Sequence, residues 1–105
     1  MAMKVYNWSQ ISEEQVSPLA SRQIIRTETL TVVRRRLSKG AVLRLHQHAE
    51  EQVSVIERGK IRSIVANQEV VVSGGETYVI PPNAPHSVEA LEDSLVMDLF
   101  STPPP

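Results

Sequence analysis

The chain has 105 residues, 41% of them apolar, with a formal net charge of −1 and no cysteine. That length suits one domain around a single core; the near-zero charge excludes a binder that works by neutralising phosphates, and the missing cysteines exclude disulfide scaffolding and thiolate chemistry. No apolar run is long enough to span a bilayer and the N-terminus has no charged-then-apolar leader pattern, so a cytoplasmic protein without nucleic-acid or membrane partners is expected.

Residues 1–21 read as an arm. Ser12-Glu13-Glu14-Gln15 has the form of a capping box and predicts a helical turn before Pro18. Trp8 is expected to pack the arm onto the body. From residue 22 the pattern becomes β, so 22–105 reads as the barrel domain, with strands predicted at Arg22–Arg26 and Thr29–Leu37. In the second strand Leu30, Val32, Arg34 and Arg36 share one face, and Thr31, Val33, Arg35 and Leu37 share the other. Arg35 is expected to be edge-strand charge in water, and Arg36 to be the substrate-contact candidate.

Ser38-Lys39-Gly40 is a turn, after which Val42, Arg44, His46 and His48 fall on one parity. On a regular strand Arg44 therefore shares the side of both histidines, where it can hold a carboxylate. Glu57-Arg58-Gly59-Lys60 reads as a hairpin turn between strands at Val53–Ile56 and Ile61–Val65, and Asn67-Gln68 as a turn before Val70–Val72. Pro81-Pro82-Asn83-Ala84-Pro85 is a rigid loop that presets the approach of His86. In Leu95–Phe100, Val96, Asp98 and Phe100 share a face while Leu95, Met97 and Leu99 share the other. Both faces look covered, so Asp98 is expected to be buried, and a buried carboxylate must be paired or perform chemistry. Pro103-Pro104-Pro105 cannot extend a sheet and is expected to fray. Short strands with regular turn signals and no long helix give an all-β barrel or double-sheet jelly roll.

The chain's three histidines are His46, His48 and His86. Residues i and i+2 of a strand project in parallel, so His46 and His48 make half of a metal site, and neutral imidazole suits Zn, Cu, Fe and Ni.

Two stretches carry these histidines: Gly40, His46, His48 and Gly59 in the first, and Gly75, Pro81 and His86 in the second. Together they resemble the cupin signature over roughly residues 28–100, with Gln52 at the usual Glu, Asn83 at the usual Gly and Ala90 at the usual final Asn. The resemblance implies a small RmlC-like cupin, a double-stranded β-helix or jelly-roll barrel with a short N-terminal arm. It also implies one divalent transition metal (Ni, Zn, Fe, Mn or Cu) held by His46, His48, Gln52 and His86. Glu50 and Glu51 are rival donors, but the motif's spacing to Gly59 favours Gln52.

The ending Ser94-Leu95-Val96-Met97-Asp98-Leu99-Phe100-Ser101 is similar to the KdgF-type pectin-degradation cupins, which help open unsaturated uronates to linear keto sugars. That likeness implies a small anionic sugar-like substrate, Asp98 as general acid or base and Phe100 as an apolar wall, with Tyr78, Arg44 and Arg36 as substrate contacts. The group carries an Arg after the last strand where this chain reads Thr102-Pro103-Pro104-Pro105; Arg44 or Arg36 is the expected replacement. The alternatives are a metal-dependent dioxygenase and a non-catalytic small-molecule-binding cupin. A homodimer is expected, with Arg22–Arg26 and the arm pairing to a neighbour's sheet edge.

Overall fold

The computed structural model describes residues 2–102, so the frayed end expected at residues 103–105 lies outside the described residues. The strands are β1 (Glu14–Ser17), β2 (Ala20–Arg26), β3 (Leu30–Leu37), β4 (Val42–His46), β5 (Gln52–Arg58), β6 (Lys60–Val65), β7 (Gln68–Ser73), β8 (Thr77–Ile80), β9 (His86–Ala90) and β10 (Ser94–Ser101). They form two antiparallel sheets, one ordered β1-β2-β3-β10-β5-β8 and the other β4-β9-β6-β7. The all-β jelly roll expected from the sequence is the observed fold.

Alternation decides what each sheet buries. In β3 the buried residues are Thr31, Val33 and Leu37, and in β5 they are Gln52, Ser54 and Ile56. The two inner faces meet in a core to which the large sheet gives Leu37, Ile56 and Val96 and the small sheet Ile61, Val72 and Ala90. Each large aliphatic buried this fully contributes about 1.5–3 kcal/mol. Register places the polar residues in rows beside this apolar one. Arg35, Val96 and Ile56 lie abreast; next come Val33, Asp98, Ser54 and Tyr78; beyond them Thr31, Phe100, Gln52 and Ile80. The interior is thus graded along the barrel axis, with apolar packing at one end and a hydrogen-bonding end at the other.

Turn chemistry fixes the corners. Ala66 and Asn67 both have positive φ (48° and 68°) and join β6 to β7 in a two-residue hairpin. Asn83 has φ 63°, a left-handed conformation that Asn tolerates, which explains its presence where glycine is usual. Gly59 has φ 92°, and a Cβ there would come within 2.3 Å of Ser94 Oγ and 2.5 Å of the Asp93 carbonyl. The Glu57–Lys60 turn exists but does not make a hairpin, because β5 and β6 belong to different sheets. It is a corner where the chain crosses from one layer to the other.

The N-terminal region departs from expectation. Ser12–Gln15 forms no helical turn: a 3-10 turn occupies Trp8–Gln10, and Glu14–Ser17 is a strand paired with β2. The Glu13 carboxylate, instead of capping a helix, accepts from Ser21 Oγ and pairs with Arg36 at 3.4 Å. Residues 14–21 are therefore part of the large sheet. β1 lies along Ala20–Arg22 only, so this edge of the large sheet is made of β1 and the Gln23–Arg26 end of β2. The Gln23 side-chain amide donates to the carbonyls of Trp8 (2.7 Å) and Ile11 (2.8 Å), and the Arg34 guanidinium lies 5.6 Å from the Trp8 ring centroid. Trp8 does fasten the arm to the body.

A candidate metal centre

His46 at the end of β4 lies directly opposite His86 at the start of β9. His48 follows two residues on, beyond the strand. Ring centroids are 4.2 Å apart for His46 and His86, 5.0 Å for His48 and His86, and 5.7 Å for His46 and His48. Burial is graded: His46 is exposed, His48 half-buried and His86 only 1% exposed.

Each ring is locked the same way. Nδ1 of His46 is 2.8 Å from the Arg44 carbonyl, Nδ1 of His48 2.9 Å from the Glu50 carbonyl, and Nδ1 of His86 2.8 Å from the Ala84 carbonyl. A carbonyl oxygen only accepts, so Nδ1 carries the proton and the neutral ring leaves a lone pair on Nε2. His86 Nε2 is buried without any hydrogen-bond partner. Potential ligand atoms of the three rings lie within 4.8 Å of one another. Burial, with the two neighbouring imidazoles adding to it, pushes the His86 pKa below the ordinary imidazole value, although its bond to the Ala84 carbonyl works the other way. An orphaned lone pair in a neutral cluster of three imidazoles fits a divalent transition metal, because only a cation satisfies all three at once.

Gln52 opens β5 across the barrel, 8% exposed, with Oε1 3.2 Å from His48 Nε2. Its Nε2 donates to Ser54 Oγ at 3.0 Å, and Ser54 Oγ donates to Asp98 Oδ1 at 2.7 Å. Arg35 Nε donates to Asp98 Oδ2 at 2.7 Å. Asp98 is 5% exposed, as expected of that strand, and both its oxygens are engaged. The Tyr78 hydroxyl lies near Ser63, Ser54 and Asp98; burial is the main cause that raises its pKa. The Phe100 ring stands 6.1 Å from that of His48. Arg35, Gln52, Asp98, Tyr78, His46 and His86 line one cavity of about 30 Å³, room for about two waters. Outside it an open groove of about 370 Å³, also touching His46 and Arg35, is bordered by Ser17, Val42, Leu43 and Arg44.

Two of the candidate arginines are displaced from their expected places. The β4 register shifts between Leu43 and His46. Leu43 and His46 both reach the inner cavity although three residues apart, which turns Arg44 outward to the groove. Arg36 is 53% exposed and paired with Glu13, away from the histidines. The inward arginine is Arg35, in a strand flanked on both sides rather than at an edge. Its signal was in the sequence: Arg35 has the parity of Val33 and Leu37. Ser54 gave no such signal, since a lone serine on an alternating strand carries no mark. Glu50 sits behind His48, its carboxylate 3.6 Å from Nδ1, away from the face that the Nε2 atoms share.

A double-sheet barrel closing over three convergent imidazoles defines a small jelly-roll protein able to hold a metal ion. Comparison with known proteins gives the family. Residues 33–102 match the cupin domain, and the chain belongs to the cupin family. KdgF from Halomonas sp. superposes with a TM-score of 0.90 at 29% identity, covering 98% of this chain and 96% of that one. An RmlC-like cupin from Shewanella frigidimarina NCIMB 400 gives 0.88 at 24% identity, covering 95% and 91%. Oxalate decarboxylase of Bacillus subtilis, a protein with Mn(II) centres, shares the fold at 22% identity and a TM-score of 0.78; this chain covers 30% of it. A search among curated protein sequences gave no match.

Proposed function

We propose that this cupin is a metal-dependent enzyme that linearises a small unsaturated uronate by acid–base chemistry at Asp98. The observation that carries the reading is the buried Asp98 carboxylate in the same cavity as His46, His86 and Gln52. End-to-end likeness to KdgF from Halomonas sp. supports it. His46, His48, His86 and the Gln52 amide oxygen would hold the metal, which supplies Lewis acidity toward a substrate oxygen.

The remaining work belongs to the chain. Linearisation of an unsaturated uronate is an isomerisation: the anomeric hydroxyl loses its proton, the ring carbon–oxygen bond opens, and the vinylic carbon gains a proton. One group that both takes and returns a proton serves the whole sequence. Asp98 accepts one hydrogen bond on each oxygen, which leaves a lone pair on each for a substrate proton. Arg35 and Ser54 hold the carboxylate in one orientation. Because the inner cavity has room for only about two waters, the body of the sugar lies in the groove outside His46. There Arg44 and the outer nitrogens of Arg35 attract its carboxylate. Phe100, its ring 6.1 Å from that of His48, serves as an apolar wall.

The test is Asp98→Asn, assayed on unsaturated galacturonate and then on other unsaturated uronates by loss of the enol-ether absorbance. Turnover is expected to fall about 10²–10⁴-fold with fold and metal content unchanged. Wild-type activity in the variant, or oxygen uptake in place of absorbance loss, overturns the assignment. The latter result would point to the dioxygenase reading.

A further inference from the structure

We propose that Ser54 is a positioning residue that decides which end of the Gln52 amide faces the metal and ties that choice to Asp98. The proposal rests on the metal site argued above. Ser54 is 1% exposed, and its hydroxyl has a single proton to give. An ionised carboxylate only accepts, so at Asp98 Oδ1, 2.7 Å away, that proton is committed. What Ser54 then offers Gln52 is a lone pair, and only the amide nitrogen can use it, across 3.0 Å. The amide oxygen is thereby turned to His48 Nε2, 3.2 Å away, at the face where the imidazole lone pairs converge. Arg35 anchors the far end of the chain by binding the other Asp98 oxygen. Direction runs one way throughout: Arg35 and Ser54 donate to Asp98, and Gln52 donates to Ser54.

The same logic accounts for glutamine at this position. A glutamate at 52 has no proton for Ser54 and would set a second carboxylate two hydrogen bonds from Asp98. An amide supplies a donor to one side and a neutral ligand oxygen to the other. Without Ser54 the inner end of the amide loses its partner, and the flipped amide, which presents N–H groups to the cation, is no longer excluded.

The test is a titration of metal-free protein with Co²⁺, read by visible absorption. It uses the wild type, Ser54→Ala, Gln52→Ala and the double variant, with thermal unfolding as a check on folding. Ser54→Ala is expected to weaken cobalt binding about 10–100-fold, the usual effect of losing a residue that orients a ligand, and to alter the cobalt spectrum. In the Gln52→Ala background the same change is expected to have no further effect, because the amide it positions is gone. Equal losses in both backgrounds, or none in either, overturn the proposal. If Ser54→Ala fails to fold, Ser54→Cys replaces it: a near-equal volume with a poor hydrogen-bonding group, and the same two outcomes decide. A wild-type chain that binds no cobalt overturns the metal assignment and this proposal with it; a Ser54→Ala chain that binds as tightly as wild type overturns this proposal alone.

Discussion

Arg35 and Arg36 are neighbours in sequence whose side chains meet opposite environments. The Arg35 side chain is 20% exposed and its partner Asp98 only 6%, so Arg35→Ala strands a carboxylate inside the barrel. Breaking such a pair costs about 3 kcal/mol, the low end of the range because Arg35 still meets water. Arg36 and Glu13 are about half exposed (53% and 46%), and Arg36→Ala is expected to change stability by no more than about 1 kcal/mol. Urea unfolding of the two variants checks this; equal losses would mean that the inner ion pair does not hold Asp98. At the histidines, His48 stands beyond the end of β4 and outside the apolar core. His48→Ala is therefore expected to release most bound metal while the circular dichroism remains that of a folded β protein. Full occupancy in a chain lacking all three histidines would remove the site.

At the scale of elements, the corner at Gly59 carries more than its own turn. It is where the chain leaves the large sheet for the small one, and Ser94 and Asp93 crowd it so closely that no side chain fits. Gly75 has nearly the same φ, 91°, but a Cβ added there would meet nothing within 4 Å. Gly75→Ala is expected to cost about 1–2 kcal/mol from backbone conformation alone. Gly59→Ala carries that penalty plus a backbone clash and is expected to lose clearly more, read as the difference in denaturant midpoints; equal midpoints would contradict the close approach. Elements were legible in the sequence wherever one local signal ruled. Alternation gave β3 and β10, glycines and prolines gave the turns, and the likeness of the two histidine-bearing stretches to the cupin signature gave the histidine cluster. What failed was decided by which strand pairs with which, and not by the local pattern. Ser12–Gln15 lost its helical turn to pairing with β2, the Glu57–Lys60 turn separates sheets instead of joining a hairpin, and the shift in β4 reversed the side of Arg44. In the site, Asp98 could be placed from parity, but the orientation of Gln52 could not, since it depends on Ser54 and Asp98 together.

For the whole molecule one apolar surface without a partner is the outer face of the large sheet. Ile25, Val32, Leu99, Val53 and Val79 lie abreast across five strands, none of them buried. On the same chain Met3 and Val5 are about nine-tenths exposed (91% and 90%) and Tyr6 is 49% exposed, although Trp8 and Ile11 are fastened to the sheet. We propose that a second copy covers this face, with the arm of each chain lying on the other, so that the dimer forms face to face and not by strand addition. Light scattering at micromolar concentration is expected to give the mass of two chains, and Val53→Glu or deletion of residues 2–7 to shift it toward one. A wild-type monomer would refute it.

The candidate ligands come from both layers of the barrel: His46 and His86 from the small sheet, Gln52 from the large one, and His48 from the segment between. Such a set exists only while the two layers are closed on each other, so an unfolded chain offers nothing comparable. Mass action then makes metal concentration a variable of folding: binding to the native state alone adds RT ln(1 + [M]/Kd), about 2.7 kcal/mol at a hundredfold excess over Kd. With a metal held at this set, the melting temperature of the barrel would become a gauge of the free metal around it. The ion that raises it most at a given free concentration is the one the site prefers.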